Sequence, residues 1–242
     1  MTRLLYLDDP TAWRCECSLT AISMSGEDLF VELDISPFYP RGGGQPSDVG
    51  LITGEYGQMA VRQVSRTAEG VVHCGKMIEG RLRGGDRVLA TIDRDIRRKH
   101  ARLHTAGETI CAAVAALGRR WPVTAASHIP GQSRVAFATD LVPDEVPAFI
   151  ELLKAHFLDI VRKDEEVLTL YDVAPDEARR LCALDAASID GKCGPLRLVS
   201  PVRDFFRPCL GAHLQRTSEI GSIEFRKARL RHGELSISYE LA

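Results

Sequence analysis

Two pairs of side chains with metal-binding chemistry share one spacing. His104 and Glu108 are four residues apart, and so are Cys209 and His213. A helical pattern runs through the first pair, which places His104 and Glu108 on one helix face, one turn apart. The second pair lies in the glycine-containing segment Cys209-Leu-Gly-Ala-His213. One thiolate, two imidazoles and one carboxylate form a zinc-type donor set if the fold joins the pairs. Spacing alone also suits a salt-bridged or core histidine and an ordinary thiol.

The elements that must position these groups follow from hydrophobic period. Residues 1–92 read as β. Leu29 to Ile35, Met59 to Val64, Val71 to Cys74 and Arg87 to Ile92 are short runs of branched and aromatic residues separated by turns. Strands at this spacing suggest a small barrel. At Asp93 the period changes to 3.6. Ile96, His100, Leu103, Gly107, Ile110, Val114 and Leu117 form one stripe, and Gly118 is a C-terminal stop. A second helix is expected from Asp144 to Lys163, with a stripe of Val146, Phe149, Ile150, Leu153, Phe157 and Ile160. A third is expected from near Pro175 to near Ala187. Strands are expected at Leu196 to Val199, Ile220 to Ala228 and Glu234 to Leu241. The fold class is therefore α+β: an N-terminal β-barrel over residues 1–92, then an antiparallel sheet packed with helices over residues 93–242.

Composition narrows the functional classes. With 45% hydrophobic and 26% charged residues in 242, the chain is an ordinary globular one. No stretch reaches the roughly 18 apolar residues of a membrane span, and no signal core is seen, so a cytoplasmic protein without membrane contact is expected. The seven cysteines (Cys15, Cys17, Cys74, Cys111, Cys182, Cys193, Cys209) are odd in number and irregular in spacing, which favours reduced thiols over disulfides. Cys15 and Cys17 would point the same way on a strand, as two plain thiols or a second metal pair. The net charge of −2 argues against a protein that coats nucleic acid, but it hides an asymmetry. Asp140 to Glu177 holds eleven acidic and three basic residues, a net of −8, so the rest carries +6. Arg94, Arg97, Arg98, Lys99 and Arg102 form one basic cluster; Arg226, Lys227, Arg229 and Arg231 form another. Each is a phosphate-binding patch or a solvated face. His73 and His128 read as packing or surface residues.

Longer wording carries a resemblance. Phe38-Tyr-Pro-Arg-Gly-Gly-Gly-Gln-Pro-Ser-Asp-Val-Gly50 is similar to the glycine-rich signature of alanyl-tRNA synthetase editing regions. Ile92-Asp-Arg, Arg97-Arg98 and His104-Thr105-Ala106 resemble the stretch that introduces that family's first two zinc ligands. Cys209 to His213, followed by Thr217-Ser-Glu-Ile-Gly221, resembles its Cys-Gly-Gly-Thr-His segment and the Thr-Gly-Glu-Ile-Gly behind it. In this order the pieces are those of the alanyl-tRNA editing proteins of the AlaX type, related to the editing domains of alanyl- and threonyl-tRNA synthetases. The resemblance implies a barrel plus a Zn2+ domain. It also implies a trans-editing hydrolase, ATP-independent and monomeric or dimeric, that removes serine or glycine from mischarged alanine tRNA. His104, Glu108, Cys209 and His213 would hold zinc, Gln45 would hydrogen-bond the substrate, and Arg94 to Arg102 would grip the acceptor stem.

Three positions depart from the family. Glu108 stands where it has a second histidine, Leu210 where it has glycine, and Ala212 where it has threonine. Glutamate is a legitimate zinc ligand, but with one thiolate it brings the centre to neutrality, where three histidines and a thiolate leave +1. Glu108 either ligates the metal, acts beside it as a base, or marks a site that has lost zinc. The rival readings are a metal-free tRNA-binding module and a zinc hydrolase of another aminoacyl ester. Gly42 to Gly44 suit a turn with positive φ, and Asp48 a turn-capping role.

Overall fold

The computed structural model describes residues 2–68, 70–182, 189–191 and 194–242. They divide into two compact units, Met1–Lys99 and His100–Ala242. The first comprises β1 (Arg3–Leu4), α1 (Leu5–Asp8), β2 (Arg14–Ser25), β3 (Asp28–Leu33), β4 (Ile35–Ser36), β5 (Gly50–Gly54), β6 (Gly57–Arg66), β7 (Val71–Gly80) and β8 (Arg87–Ile92). Six strands close a barrel in the order β2-β3-β7-β6-β5-β8, and β1 pairs in parallel with β4. Alternation decides which residues face inward: in β3, Leu29, Val31 and Leu33 are buried while Asp28, Phe30 and Glu32 are partly exposed. They meet Leu19, Ile52, Met59, Val61, Val64, Val88 and Ala90 in the barrel core.

The glycine-rich segment leaves this barrel as an ordered loop. Gly42 and Gln45 pair through both backbone bonds, and Gly43 (φ 53°) and Gly44 (φ 75°) form the two-residue tip. Two successive positive φ values are those of a tight hairpin turn that glycine enters without strain. The loop is anchored by Asp48, whose Oδ2 accepts from the Tyr39 amide at 2.7 Å, and by the Arg41 amide bond to the Val64 carbonyl at 2.9 Å.

Helix α2 (Arg94–Ala116) starts where the period changes. Asp93 Oδ1 accepts from the amides of Asp95 and Ile96 at 3.0 Å, an N-cap, and Gly118 at φ 75° follows its end. The division between the units falls within it, between Lys99 and His100.

The second unit continues with β9 (Val123–Ser127), β10 (Arg134–Ala138), α3 (Val146–Lys163), β11 (Leu168–Val173), α4 (Pro175–Leu181), β12 (Leu196–Ser200), β13 (Arg207–Pro208), β14 (Ile223–Arg231) and β15 (Glu234–Leu241). One antiparallel sheet has the order β14-β15-β10-β9, and another the order β11-β12-β13. The stripes read from sequence are mostly buried, with Ile96, Leu117, Val146 and Ile150 partly exposed, and α2 buries residues beyond its stripe too. Leu103, Ile110 and Val114 of α2 and Phe149, Leu153, Phe157 and Ile160 of α3 pack with Val135, Phe137, Leu235, Ile237 and Tyr239. The hairpin β9–β10 was not foreseen, because Val123–Ser127 is a run of small residues with one valine. The extension of α4 to Ala187, like Cys193, lies outside the described residues. Among the described residues Cys15, Cys17, Cys74 and Cys209 are free thiols, and no helix is long and apolar enough to cross a membrane.

Candidate metal centre

Helix α2 and the loop after β13 bring the two pairs together. One potential ligand atom each from His104, Glu108, Cys209 and His213 lies within 4.8 Å of the other three. Cys209 Sγ is 3.2 Å from His213 Nε2 and 3.5 Å from His104 Nε2, and His104 Nε2 is 3.6 Å from Glu108 Oε1. Donors at the corners of a tetrahedron with bonds of about 2.0–2.3 Å stand about 3.3–3.8 Å apart, so these edges fit a zinc-sized ion. His104, Glu108 and His213 are buried and Cys209 is partly so. Glu108 Oε2 is buried without a hydrogen-bond partner among the described residues. A buried carboxylate oxygen left bare is costly; a cation removes that cost.

Electrostatics agree with the geometry. Burial opposes a charge on His104, yet the sulfur of Cys209 and the carboxylate of Glu108 overcome it and lift its pKa to about 9. Burial also opposes ionisation of Glu108, but Arg207, His104 and His213 hold its carboxyl well below the usual carboxylate range. His213 and His128 are pushed well below the usual imidazole value, first by burial and then by the charge on His104. The carboxylate of Glu108 and the sulfur of Cys209 thus draw positive charge onto His104, where the side chains converge.

Neighbouring groups fix these four side chains. Thr105 Oγ1 accepts from the Leu214 amide at 3.1 Å and lies 3.3 Å from His213 Nδ1, which as donor leaves the Nε2 lone pair facing Cys209. The Gly211 amide donates to Cys209 Sγ at 3.3 Å. Arg197 of β12 clasps the loop: its carbonyl accepts from the Cys209 amide at 3.1 Å, and its Nη1 donates to the carbonyls of Cys209 at 2.8 Å and Gly211 at 3.1 Å. The two central positions of this loop are not equivalent. A Cβ on Gly211 would come 2.1 Å from His104 Cε1, so only glycine admits the imidazole. Leu210 is 50% exposed, which explains why a large residue is tolerated there.

His128, read from sequence as a packing or surface residue, belongs to this neighbourhood. Its ring stacks on His104, centroids 4.2 Å apart and planes 18° from parallel. Tyr239 Oη donates to the Leu103 carbonyl at 3.0 Å, and His128 Nδ1 donates to Tyr239 Oη at 2.7 Å. Gly107 makes room, since a Cβ there would lie 2.4 Å from Tyr239 Oη and 2.5 Å from His128 Cε1. No short motif joins residues 107, 128 and 239. Arg207 was missed too; its Nη1 lies 3.3 Å from Cys111 Sγ, and its charge acts on Glu108.

The other expected site residues fare differently. Arg94, Arg98 and Lys99 are exposed. Arg97 leaves the phosphate-gripping set: it is buried and ion-paired to Asp48, with Nη2 also donating to the Pro37 carbonyl at 2.8 Å. Arg102 is half-buried and donates to the Ile220 carbonyl at 2.9 Å. Gln45 is buried in the barrel unit beside the glycine turn.

The family model for class II (A) tRNA synthetases matches residues 14–96. The alanine–tRNA ligase of Parafrankia sp. (strain EAN1pec) is 36% identical over 211 residues, 86% of this chain and 23% of the ligase. That of Frankia alni is 34% identical over 82% of this chain and 22% of the ligase. That of Acetivibrio thermocellus is 30% identical over 84% and 23%. The chain spans less than a quarter of the length of these ligases. It is an AlaX-type relative of the alanyl-tRNA synthetases.

Proposed function

We propose that this protein is a zinc-dependent hydrolase that removes serine or glycine from mischarged alanine tRNA, acting in trans on tRNA charged elsewhere. The observation that carries the proposal is the convergence of His104, Glu108, Cys209 and His213 within 4.8 Å, with a bare carboxylate oxygen among them. The similarity to alanine–tRNA ligases supplies the substrate class.

His104, Glu108, Cys209 and His213 would hold the ion, and the bare oxygen of Glu108 favours its role as ligand over its role as free base. Zinc, when bound, supplies a Lewis acid able to polarise an ester carbonyl or acidify a water. The chain's own groups set the site's charge and shape. Thr105 directs the His213 Nε2 lone pair toward the thiol, and the Gly211 amide steadies the thiolate. Arg207 lends positive charge beside Glu108, offsetting the neutrality that a carboxylate in place of a histidine brings to the centre. Gln45 is proposed as a substrate contact and Arg94, Arg98 and Lys99 as phosphate contacts, which give affinity without reading sequence.

The test is deacylation of seryl- and glycyl-tRNA for alanine, with correctly charged alanyl-tRNA as control, alongside the zinc content of the purified protein. Hydrolysis of the mischarged species, lost with a chelator and restored by zinc, is expected. Protein free of zinc that hydrolyses equally well ends the metal assignment. Zinc-loaded protein that leaves both mischarged species intact ends the substrate assignment.

A further inference from the structure

Resting on that reading of the substrate, we propose that the ring of Tyr171 is the stacking platform for the unpaired purine at the 3′ end of the acylated tRNA. Among the described residues β11 is an edge strand, paired with β12 alone. Its ladder runs Leu168 to Ser200, Thr169 to Val199 and Leu170 to Leu198, then resumes only at Val173 with Leu196. Tyr171 and Asp172 form the irregularity between, and Asp172 sits at φ 53°. Bulges of this kind re-aim side chains and recur beside active sites.

Here the re-aimed side chain is Tyr171, 47% exposed. Among the described residues it is the exposed aromatic of the second unit. Arg197 lies under the ring, its Cζ 5.9 Å from the centroid. The same guanidinium holds the carbonyls of Cys209 and Gly211, while its buried Nε has no hydrogen-bond partner among the described residues. A single side chain therefore connects the aromatic ring to the loop carrying Cys209.

The surroundings choose the part of the substrate. Leu168 and Leu170 of the same strand and Leu210 of the metal loop are also exposed. The segment Asp140 to Glu177 that contains Tyr171 carries a net charge of −8, which repels phosphate. An exposed ring among leucines on an acidic segment suits an uncharged base. Stacking of single-stranded bases on aromatic side chains is the general means of holding such ends.

Two variants, Tyr171→Ala and Tyr171→Phe, and three probes test this: a CCA trinucleotide, adenosine esterified with serine on its ribose, and serine ethyl ester. Tyr171→Ala is expected to bind the trinucleotide about tenfold more weakly and to raise KM for the adenosine ester about tenfold, as loss of one stacked base does. Its kcat should hold, and so should its hydrolysis of serine ethyl ester, which has no base to stack. Tyr171→Phe should match the wild type. Equal trinucleotide binding by the wild type and Tyr171→Ala overturns the proposal, as does an equal loss on both esters. If the wild type cleaves neither ester, the catalytic reading fails, and trinucleotide binding still decides for or against the platform.

Discussion

Asp48 in the barrel unit and Glu108 in the second unit are both buried carboxylates, used in opposite ways. Both oxygens of Asp48 are engaged, by the Arg97 guanidinium and the Tyr39 amide. Glu108 offers Oε1 to His104 and has no partner for Oε2 among the described residues. Asp48 is a finished structural contact that fixes the glycine-rich loop. Glu108 is an unfinished one, with one buried oxygen still bare among the described residues. A buried acid whose valences are closed holds a fold; one with an open valence points to a ligand.

The sharpest way to break this contrast is Asp48→Asn. It keeps the shape but leaves the Arg97 guanidinium buried opposite a neutral amide. Removing one partner of a buried pair costs about 3–5 kcal/mol, so the urea midpoint should fall steeply. Zinc retained per folded molecule should stay at the wild-type value. A loss of zinc without a loss of stability would reverse the roles assigned to the two acids.

The sequence made one side of the contrast legible and not the other. His104, Glu108, Cys209 and His213 were readable because helical spacing and a short glycine-bearing loop are local signals. Arg97 looked like one more cation in a basic run, since nothing local reveals a partner 49 residues away. His128 was unreadable for the same reason: its importance lies in a ring stack and a tyrosine on the last strand. The helix stripes were visible because two core faces impose a 3.6 period, whereas β9 escaped because alanine and serine carry little strand signal. The barrel's closure in the order β2-β3-β7-β6-β5-β8 is a matter of pairing, which no single strand encodes.

A second buried group with closed valences lies in the barrel unit. His73 Nδ1 donates to the Val31 carbonyl at 3.0 Å, and Nε2 stands 2.8 Å from Ser36 Oγ. Burial lowers its pKa to about 4, against an opposing bond to Val31. Between pH 4 and 6.5 the unfolded chain binds the proton that the folded chain refuses. Stability is therefore complete above pH 6.5 and lost as pH falls toward 4, by about 3 kcal/mol in all. Unfolding free energies measured from pH 7 to pH 4 should show that decline, and His73→Gln should flatten this part of it. An equal decline in the variant assigns it to other groups.

On the open-valence side, Glu108→Gln should strike the zinc binding that Asp48→Asn leaves intact. The amide is isosteric but a poor zinc donor, so zinc affinity should drop more than about 100-fold, the upper end of what even supporting residues cost. Metal-free stability should fall as well, because the amide no longer balances the buried charges of His104 and Arg207, so zinc affinity is read on the folded protein. Glu108→His should keep zinc. Competition titration against a chelator reads both variants. Undiminished affinity in Glu108→Gln removes Glu108 from the ligand set.

The smallest expected effect separates ligands from the groups that aim them. Tyr239→Phe keeps the packed ring but deletes both the acceptor for His128 Nδ1 and the donor to the Leu103 carbonyl. His128 then loses the bond that sets its tautomer and its stack on His104. Supporting residues of this kind are worth about 10–100-fold in metal affinity, and a fall of about tenfold is expected, with the four donors still in place. His128→Phe retains a flat ring against His104 and should lose less than His128→Leu, which retains only volume. A cobalt-substituted protein reports the geometry directly: its visible absorption should shift in Tyr239→Phe and His128→Leu and stay closer to wild type in His128→Phe. Identical spectra and affinities in all three would make the stack ordinary packing, and the line between Asp48 and Glu108 would then run through the four donors alone.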